Sequence, residues 1–564
     1  VGLGTWLLAR SAPPRIDPLA PGAAFVVALS PLVGTPLTTS AKFAVVAKSP
    51  LTDRIGDALA SDRFAIELKH CGVDALVLRG ACADWSLVVV DDAGARLEPA
   101  SDLLGLSAVE AEERVRARLG DSWRFLGIGP AGERLVRFAT CSGDGRHAGR
   151  GGLGAVLGSK RVKGIAVRGT GACPVADPAR VLALAKDLSA RSLGPATAKY
   201  REVGTIANLL VFNRLNALPT RNFTTGSFAG AERISAEALR TLPSVRKSCA
   251  ACTIGCEHVF PAPSGAKVRL EYEGLFALGS LCGIDDRDAV LEAAARCDAL
   301  GLDVISAGGT AAFAMECGER GLLPGAPRFG DAAGLLSLLD DVAARRGLGD
   351  LLAEGSRRAA ARIGGGAERF ALHVKGLELP GYEPRALQAM ALGLAVSTRG
   401  ADHNRSGAYE EDFRPGADRT SADASKGPAA ARTEVHAAVL DSLILCKFLR
   451  GVFGDVLAEG AAMLSAVTGW DVSRDELRRT GERIVTAKKL FNVREGWTRS
   501  EDTLPDRFLT EPLGGDARFA LGRDGLDRMI ASYYAAQGWT PSGDVPPARV
   551  TDLGLDDLAT EASR

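Results

Sequence analysis

Short apolar runs between turns dominate the first third of the chain. Ala24–Leu29, Phe43–Ala47, Ala75–Leu78 and Ser86–Val90 are rich in Val, Ala and Leu and too short for ordinary helices, so each predicts a buried strand. The run Gly164-Ile165-Ala166-Val167-Arg168-Gly169 closes this series. One helical stretch, Ala108–Leu119, interrupts it. After Asp177-Pro178 the apolar period becomes helical, most clearly over Asp285–Ala299 and Asp331–Arg345, with capping residues at the helix starts. A Gly- and Ser-containing segment from Arg414 to Lys426 predicts a surface loop. No repeat of solenoid period is present.

These patterns predict an α+β multidomain protein. Residues 1–177 form a β-rich N-terminal domain. Two mainly helical domains follow, 178–376 and 377–564, the second boundary falling near Lys375-Gly376.

At 564 residues the chain exceeds one ordinary core. With 46% hydrophobic and 24% charged residues it has a soluble globular composition. The 68 basic and 68 acidic residues cancel, which argues against nucleic acid or an anionic membrane as partner. Eleven scattered cysteines, an odd number, show no disulfide framework and point to a reducing compartment. There is no secretory leader pattern and no apolar run of bilayer length, so a cytoplasmic location is expected, without membrane insertion.

Cys249, Cys252 and Cys256 lie in Lys-Ser-Cys-Ala-Ala-Cys-Thr-Ile-Gly-Cys-Glu-His. Thiolates at this spacing converge on a tight loop and suit an iron–sulfur cube, with a fourth ligand from elsewhere, for which Cys446 is a candidate. A structural zinc site completed by His258 or Cys282, or three unrelated buried thiols, also fits the spacing. Two further segments echo each other: Asp298-Ala-Leu-Gly301-Leu302-Asp303 and Asp441-Ser-Leu-Ile444-Leu445-Cys446. Each reads as a helix end offering a carboxylate and free backbone amides.

Together these motifs resemble the tungsten-containing aldehyde ferredoxin oxidoreductase family. Supporting stretches include Lys48-Ser49-Pro50-Leu51-Thr52, Gly149-Arg150-Gly151-Gly152-Leu153-Gly154, Glu271-Tyr272-Glu273, Gly381-Tyr382-Glu383-Pro384-Arg385 and Leu504-Pro505-Asp506-Arg507-Phe508, so the resemblance spans essentially the whole chain. It implies an N-terminal pterin-binding domain and two helical domains. It also implies a tungsten (or molybdenum) bis-pterin, a [4Fe–4S] cluster on Cys249, Cys252, Cys256 and Cys446, and a Mg2+ ion bridging the pterins. By position, Asp298, Leu302, Asp303, Asp441 and Leu445 match the pterin-cradling motifs. Arg150, Gly151, Arg399 and Arg405 match further cofactor contacts. Lys42 stands where the family places an Arg between cofactor and cluster. Glu273 and His403 match the acid–base pair beside the metal. Without the resemblance they would read as a surface carboxylate and a core histidine.

The chain departs from the family pattern in four places. It starts at Val1-Gly2-Leu3-Gly4, which matches an interior family stretch, so the family's first strands are expected to be missing. Leu59 and Ser61-Asp62 replace the Asn and Gly-Gly that help seat the bridging ion. Ile444 replaces a Gly. Glu292-Ala-Ala-Ala295 lacks the His of a dimer-bridging metal, so that metal is not expected. The resemblance implies oxidation of a small aldehyde to its acid, with electrons leaving through the cluster to ferredoxin or a partner iron–sulfur subunit, and leaves a homodimer open. A reductive relative such as an aryl-CoA reductase catalytic subunit, and a non-catalytic truncated paralogue, are the alternatives.

Overall fold

Most of the predicted strands are apolar at nearly every position because both faces of their sheets are covered, which removes the usual alternation of apolar and polar residues; Ala75–Leu78, at a sheet edge, is partly exposed. The computed structural model describes residues 1–562. β1 (Phe25–Ala28), β2 (Lys42–Lys48), β3 (Ile55–Ser61) and β4 (Ala75–Leu78) form an antiparallel sheet in the order β3-β2-β1-β4. Val26, Ala28, Ala44 and Val46 face the larger core together with Leu8, from the helix Gly2–Ser11 that begins at the Val1–Gly4 stretch. Phe25, Val27, Phe43 and Val45 face a second core with Phe64. Asp57 is the exception: a fully buried carboxylate in the middle of β3.

A six-stranded sheet follows, ordered β6-β5-β10-β7-β8-β9. Its strands are β5 (Ser86–Asp91), β6 (Gly94–Pro99), β7 (Arg124–Ile128), β8 (Cys141–Gly143), β9 (Arg146–Ala148) and β10 (Val162–Val167). Only the β5–β10 pair is parallel. The expected helix over Ala108–Leu119 forms with those bounds, started by a reciprocal cap between Ser107 and Glu110.

Beyond β10 helices dominate, and the two expected amphipathic stretches form the helices Arg287–Leu300 and Ala332–Ala344. Two small sheets interrupt them, neither anticipated from the sequence. β11 (Val245–Lys247), β12 (Glu257–Pro261) and β13 (Lys267–Arg269) form an antiparallel sheet that holds the cysteine triplet in the β11–β12 connection. β14 (His373–Val374) and β15 (Leu377–Glu378) form a hairpin whose two-residue turn is Lys375-Gly376, where the second domain boundary is expected. Both turn residues have positive φ, +57° and +100°, as such a tight hairpin demands. The Lys375 ammonium is buried against Asp502 at 2.8 Å, which anchors the turn to the C-terminal helices. Residues 414–425 form turns and loop with largely exposed side chains, as expected. Among the described residues no helix is long and apolar enough to cross a membrane.

Candidate functional site

The two echoing segments share one backbone design. The helix Arg287–Leu300 ends on Gly301 in the left-handed conformation, and Asp303 then caps the helix Val304–Glu319, its side chain accepting from Ile305 N at 3.2 Å. The helix Lys426–Leu443 ends the same way on Ile444, at φ +64°, and Cys446 opens the next turn. Left-handed geometry is easy for Gly and strained for a β-branched residue. Ile444 is held there by complete burial. Leu302 and Leu445 are buried just after each turn and orient the residue that follows.

The four thiols of Cys249, Cys252, Cys256 and Cys446 come together. Burial, then Cys446 and Cys249, raise the Cys252 thiol; burial, then Cys446, Glu271, Cys249 and Cys252, raise Cys256. A tie from the N-terminal domain fixes the geometry: Cys446 N donates to Thr39 Oγ1 at 3.0 Å, and Thr253 N to Thr38 Oγ1 at 3.0 Å. The two zinc-completing candidates lie elsewhere. Cys282 is fully buried against the carbonyls of Ala277 and Gly308, and His258 turns to the backbone of Tyr200 and Arg201. Among the described residues no three His, Cys, Asp or Glu side chains converge on a single metal ion. A cube takes one thiolate per iron, so its ligands surround a volume instead of meeting at one point. The donor set fits that group.

Between the N-terminal sheets and the helices lies a cavity of about 330 Å3, lined by Leu59, Ser61, Arg146, His147, Glu273, Asp298, Leu302 and Asp303 among others. Asp298 is partly exposed in its wall, 3.2 Å from His147 Nε2. Arg146 lines the same wall and sits beside the thiols. Burial opposes its charge, but Cys249, Glu257, Glu271 and Cys256 outweigh burial and raise its pKa. Arg146 therefore stands between cavity and thiols. Lys42 opens β2 opposite Ser61 and is half-buried.

A buried ion network frames the cavity. Arg405 meets Asp57 at 2.6 Å and Asp441 at 3.0 Å; Lys447 meets Asp441 at 3.2 Å and Lys488 meets Asp57 at 3.3 Å. Arg399 pairs with Asp402 at 2.8 Å and donates to the Asp57 carbonyl. Arg150 donates to the carbonyls of Glu378 and Ala401, at 2.7 and 2.8 Å, with Asp402 at 3.6 Å and Asp303 at 3.8 Å. Burial alone would raise Asp57, but Arg405, Lys488 and Arg399 hold it well below the carboxylate range. Gly151, at φ +95°, presents its carbonyl to Ser49 Oγ at 2.7 Å beside this frame.

Glu273 and His403 come together, with His403 Nε2 3.7 Å from Glu273 Oε1. Glu273 sits in the helix Tyr272–Leu278; Gly381 N donates to its Oε2 at 3.0 Å, and the Tyr272 hydroxyl donates to the Gly381 carbonyl. The Tyr382 ring stacks on the imidazole with centroids 4.9 Å apart. Asn404 Nδ2 donates to His403 Nε2 at 2.9 Å, which places the ring proton on Nδ1. Burial pushes Glu273 up to about 8, against the opposing pull of the Gly381 N–H and Arg150. Burial pulls His403 down to about 3 despite Asp402. The expected carboxylate–imidazole pair is therefore a protonated carboxyl beside a neutral imidazole at neutral pH, because both charged forms lose hydration in this enclosure.

Models of two domain families cover the chain: "Aldehyde ferredoxin oxidoreductase, N-terminal domain" over residues 1–169 and "Aldehyde ferredoxin oxidoreductase, domains 2 & 3" over residues 185–555. The chain belongs to the aldehyde ferredoxin oxidoreductase family. The tungsten-containing aldehyde ferredoxin oxidoreductases of Pyrococcus furiosus and Thermococcus kodakarensis are each 36% identical to it over 572 aligned residues, covering 98% of this chain and 94% of theirs. The WOR-like subunit of an aliphatic sulfonate oxidoreductase of Pyrococcus furiosus is 26% identical, covering 100% of this chain and 93% of its own. The solved active-site complex BamBC of benzoyl coenzyme A reductase has the same fold, with a TM-score of 0.85 at 22% identity, covering 100% of this chain and 93% of that one. Membership makes this protein an oxidoreductase and implies a tungsten–pterin cofactor.

The residues present fit such a group. Seven buried polar atoms around the cavity and its frame have no hydrogen-bond partner among the described residues: Nε and Nη1 of Arg150, Nε of Arg399, Asp57 Oδ1, Asp303 Oδ2, Glu273 Oε1 and His403 Nδ1. Guanidinium donors suit phosphate oxygens and carboxylates suit ring N–H donors. The ion expected to bridge two pterins fits poorly. The Leu59 side chain carries no oxygen, and Asp62 caps the helix Arg63–His70, accepting from Phe64 N at 3.0 Å, its pKa raised by burial to about 7.

Proposed function

We propose that this chain oxidises an aldehyde to its carboxylic acid, with water as co-substrate and two protons and two electrons released. The cofactor is a tungsten (or molybdenum) bis-pterin, held by Arg150, Gly151, Asp298, Leu302, Asp303, Arg399, Arg405, Asp441 and Leu445, which supplies the two-electron redox chemistry when bound. Cys249, Cys252, Cys256 and Cys446 hold a [4Fe–4S] cluster that passes electrons singly to ferredoxin or a partner iron–sulfur subunit.

The observation that carries this reading is the Glu273–His403 pair, each with one buried, unpartnered atom. The reaction needs one group to take a proton from water and one to stabilise charge building on the carbonyl oxygen. The neutral His403 donates from Nδ1 to the carbonyl oxygen. Glu273, poised near pH 8, takes the water proton in its ionised form and hands it on towards the cavity. The Gly381 N–H holds the carboxylate in place for this. The Tyr382 ring fixes the plane of the imidazole.

The test is anaerobic purification followed by elemental analysis and an aldehyde-dependent viologen reduction assay. The reading requires tungsten or molybdenum, about four irons per chain, and acid formed in step with dye reduced. Reduction of an aryl-CoA thioester without aldehyde oxidation would favour the reductive alternative. Stoichiometric zinc without iron would refute the cluster.

A further inference from the structure

The small sheet around the cysteine loop ends in an open edge. β11 pairs with β12 on one side and, among the described residues, has no strand on the other. Residues 243–248 are all exposed, Val245 at 60%. From Ala238 to Cys256 the chain carries Arg240, Arg246 and Lys247 and no acidic residue, although the whole protein is electrically balanced; of the acids around this run, Glu257 is buried in pairs with Arg146 and Arg269, leaving Glu237 at its start and Glu271 beside Cys256. This local excess lies against the thiols. Cys249 follows Lys247 by two residues, and Cys249, Cys252 and Cys256 are themselves partly exposed. Arg246 also reaches back over the loop, since a side chain at Gly255 would meet its guanidinium at 3.3 Å.

We infer that the β11 edge, with Arg240, Arg246 and Lys247, is the docking surface for an acidic, dissociable one-electron carrier protein. The inference rests on reading the four cysteines as cluster ligands. An electron leaves a buried centre where that centre nears the surface, and here the partly exposed thiols and the basic edge coincide. Two carriers, each gaining one electron, balance each aldehyde oxidised. Clustered basic charge attracts an acidic partner and speeds encounter without demanding a large or permanent interface. The free N–H and C=O groups of β11 and the Val245 side chain offer a short contact once the partner arrives. The bland account is that Arg and Lys merely guard an open edge against pairing with another chain. It predicts no effect on electron transfer, so the two accounts separate in one experiment.

That experiment compares the cofactor-loaded wild type with an Arg246→Glu/Lys247→Glu double variant. Each is assayed with a purified ferredoxin of net negative charge and, separately, with methyl viologen. Viologen is small and needs no docking surface, so its turnover reports an intact cluster and fold. The expected result is a KM for ferredoxin raised tenfold or more, weaker salt dependence of kcat/KM, and unchanged viologen turnover. An Arg246→Lys/Lys247→Arg variant, which keeps the charge, should behave as wild type. An unchanged ferredoxin KM in the charge-reversed variant overturns the docking surface while leaving the cluster assignment standing. A wild-type enzyme with iron-free cysteines that reduces neither acceptor overturns the cluster assignment itself.

Discussion

Glu273→Gln should cost activity and gain stability, and the gain should depend on pH in a way fixed by the structure. The Glu273 carboxyl sits at about 8 in the fold against an ordinary 4.5. Between these values the unfolded chain is ionised at this position while the folded chain keeps its proton. The folded state thus binds more protons, and stability falls as pH rises from 4.5 to 8. At about 1.4 kcal/mol per pH unit the penalty is about 3 kcal/mol at pH 7 and about 5 kcal/mol above pH 8. Glutamine keeps the acceptor for Gly381 N but carries no titrating proton, so it escapes the penalty. With an unfolding entropy of roughly 2 cal/mol/K per residue, a chain of this length gains about one degree per kcal/mol. The variant should melt about 3 °C above wild type at pH 7, about 4–5 °C above it at pH 9, and together with it at pH 4. Melting curves on matched anaerobic preparations check this. Turnover should fall about a hundredfold or more, with tungsten or molybdenum and iron content unchanged. A melting difference that ignores pH, or a variant less stable at pH 9, refutes the buried, protonated assignment.

Three further outcomes are expected. Cys252→Ser should lower iron well below the roughly four atoms per chain of the cluster and loosen the β11–β12 loop, as read by iron analysis and limited proteolysis. Tyr272→Phe removes the hydroxyl that fixes the Gly381 carbonyl; the Gly381 N–H then restrains Glu273 less, its pKa rises further, and the ascending limb of the pH–rate profile moves to higher pH with kcat falling less than tenfold. Ile444→Gly relieves about 1–2 kcal/mol of left-handed strain but deletes a fully buried side chain costing about 2–5 kcal/mol, so the variant should be destabilised by roughly 1–3 kcal/mol in thermal melts; a stabilised variant would show that strain, not packing, dominates there.

What the sequence revealed depended on how local each signal is. The helix over Ala108–Leu119 and the apolar strands were legible because capping and period act over a few residues. The paired helix ends at Gly301 and Ile444 were legible as an echo, and Cys446 as the remote thiol, because a motif repeats its geometry wherever it stands. The β11–β12–β13 sheet was missed because its strands are short and β11 is wholly exposed, leaving no apolar pattern to read. Asp57, Arg146 and His147 were missed as site residues because their partners are distant in the chain: Asp57 and Arg405 are 348 residues apart. Asp402 and Lys447 have near neighbours, Arg399 and Asp441, as partners, but such local pairs read as solvated charges until the fold encloses them. One signal for Asp57 was available. A carboxylate in the midst of a strand of small and apolar residues has no cheap place in a core unless something charged meets it there.

The site divides its labour between charged and neutral groups. Asp402, held below the carboxylate range by Arg399, Arg405, His403 and Arg150 despite its burial, accepts from Asn404 N and Arg405 N and so starts the short helix that carries His403. Asp57, Asp402 and Arg405 stay ionised across the physiological range, while burial lowers Lys447 to about 8. Inside that frame the two groups suited to proton traffic are both kept uncharged at pH 7, by burial and not by each other. Environments that push a carboxyl up and an imidazole down are how one enclosure separates an exchanging acid from a fixed hydrogen-bond donor. His403 at about 3 cannot become a cation in working conditions, so it donates a hydrogen bond without surrendering its proton. Glu273 at about 8 exchanges its proton readily, so the rate should follow its ionisation. If the roles were reversed, the rate would follow a group titrating near 3 and stay flat through pH 8, and the pH–rate profile of the wild-type enzyme between pH 5 and 9.5 decides between the two assignments.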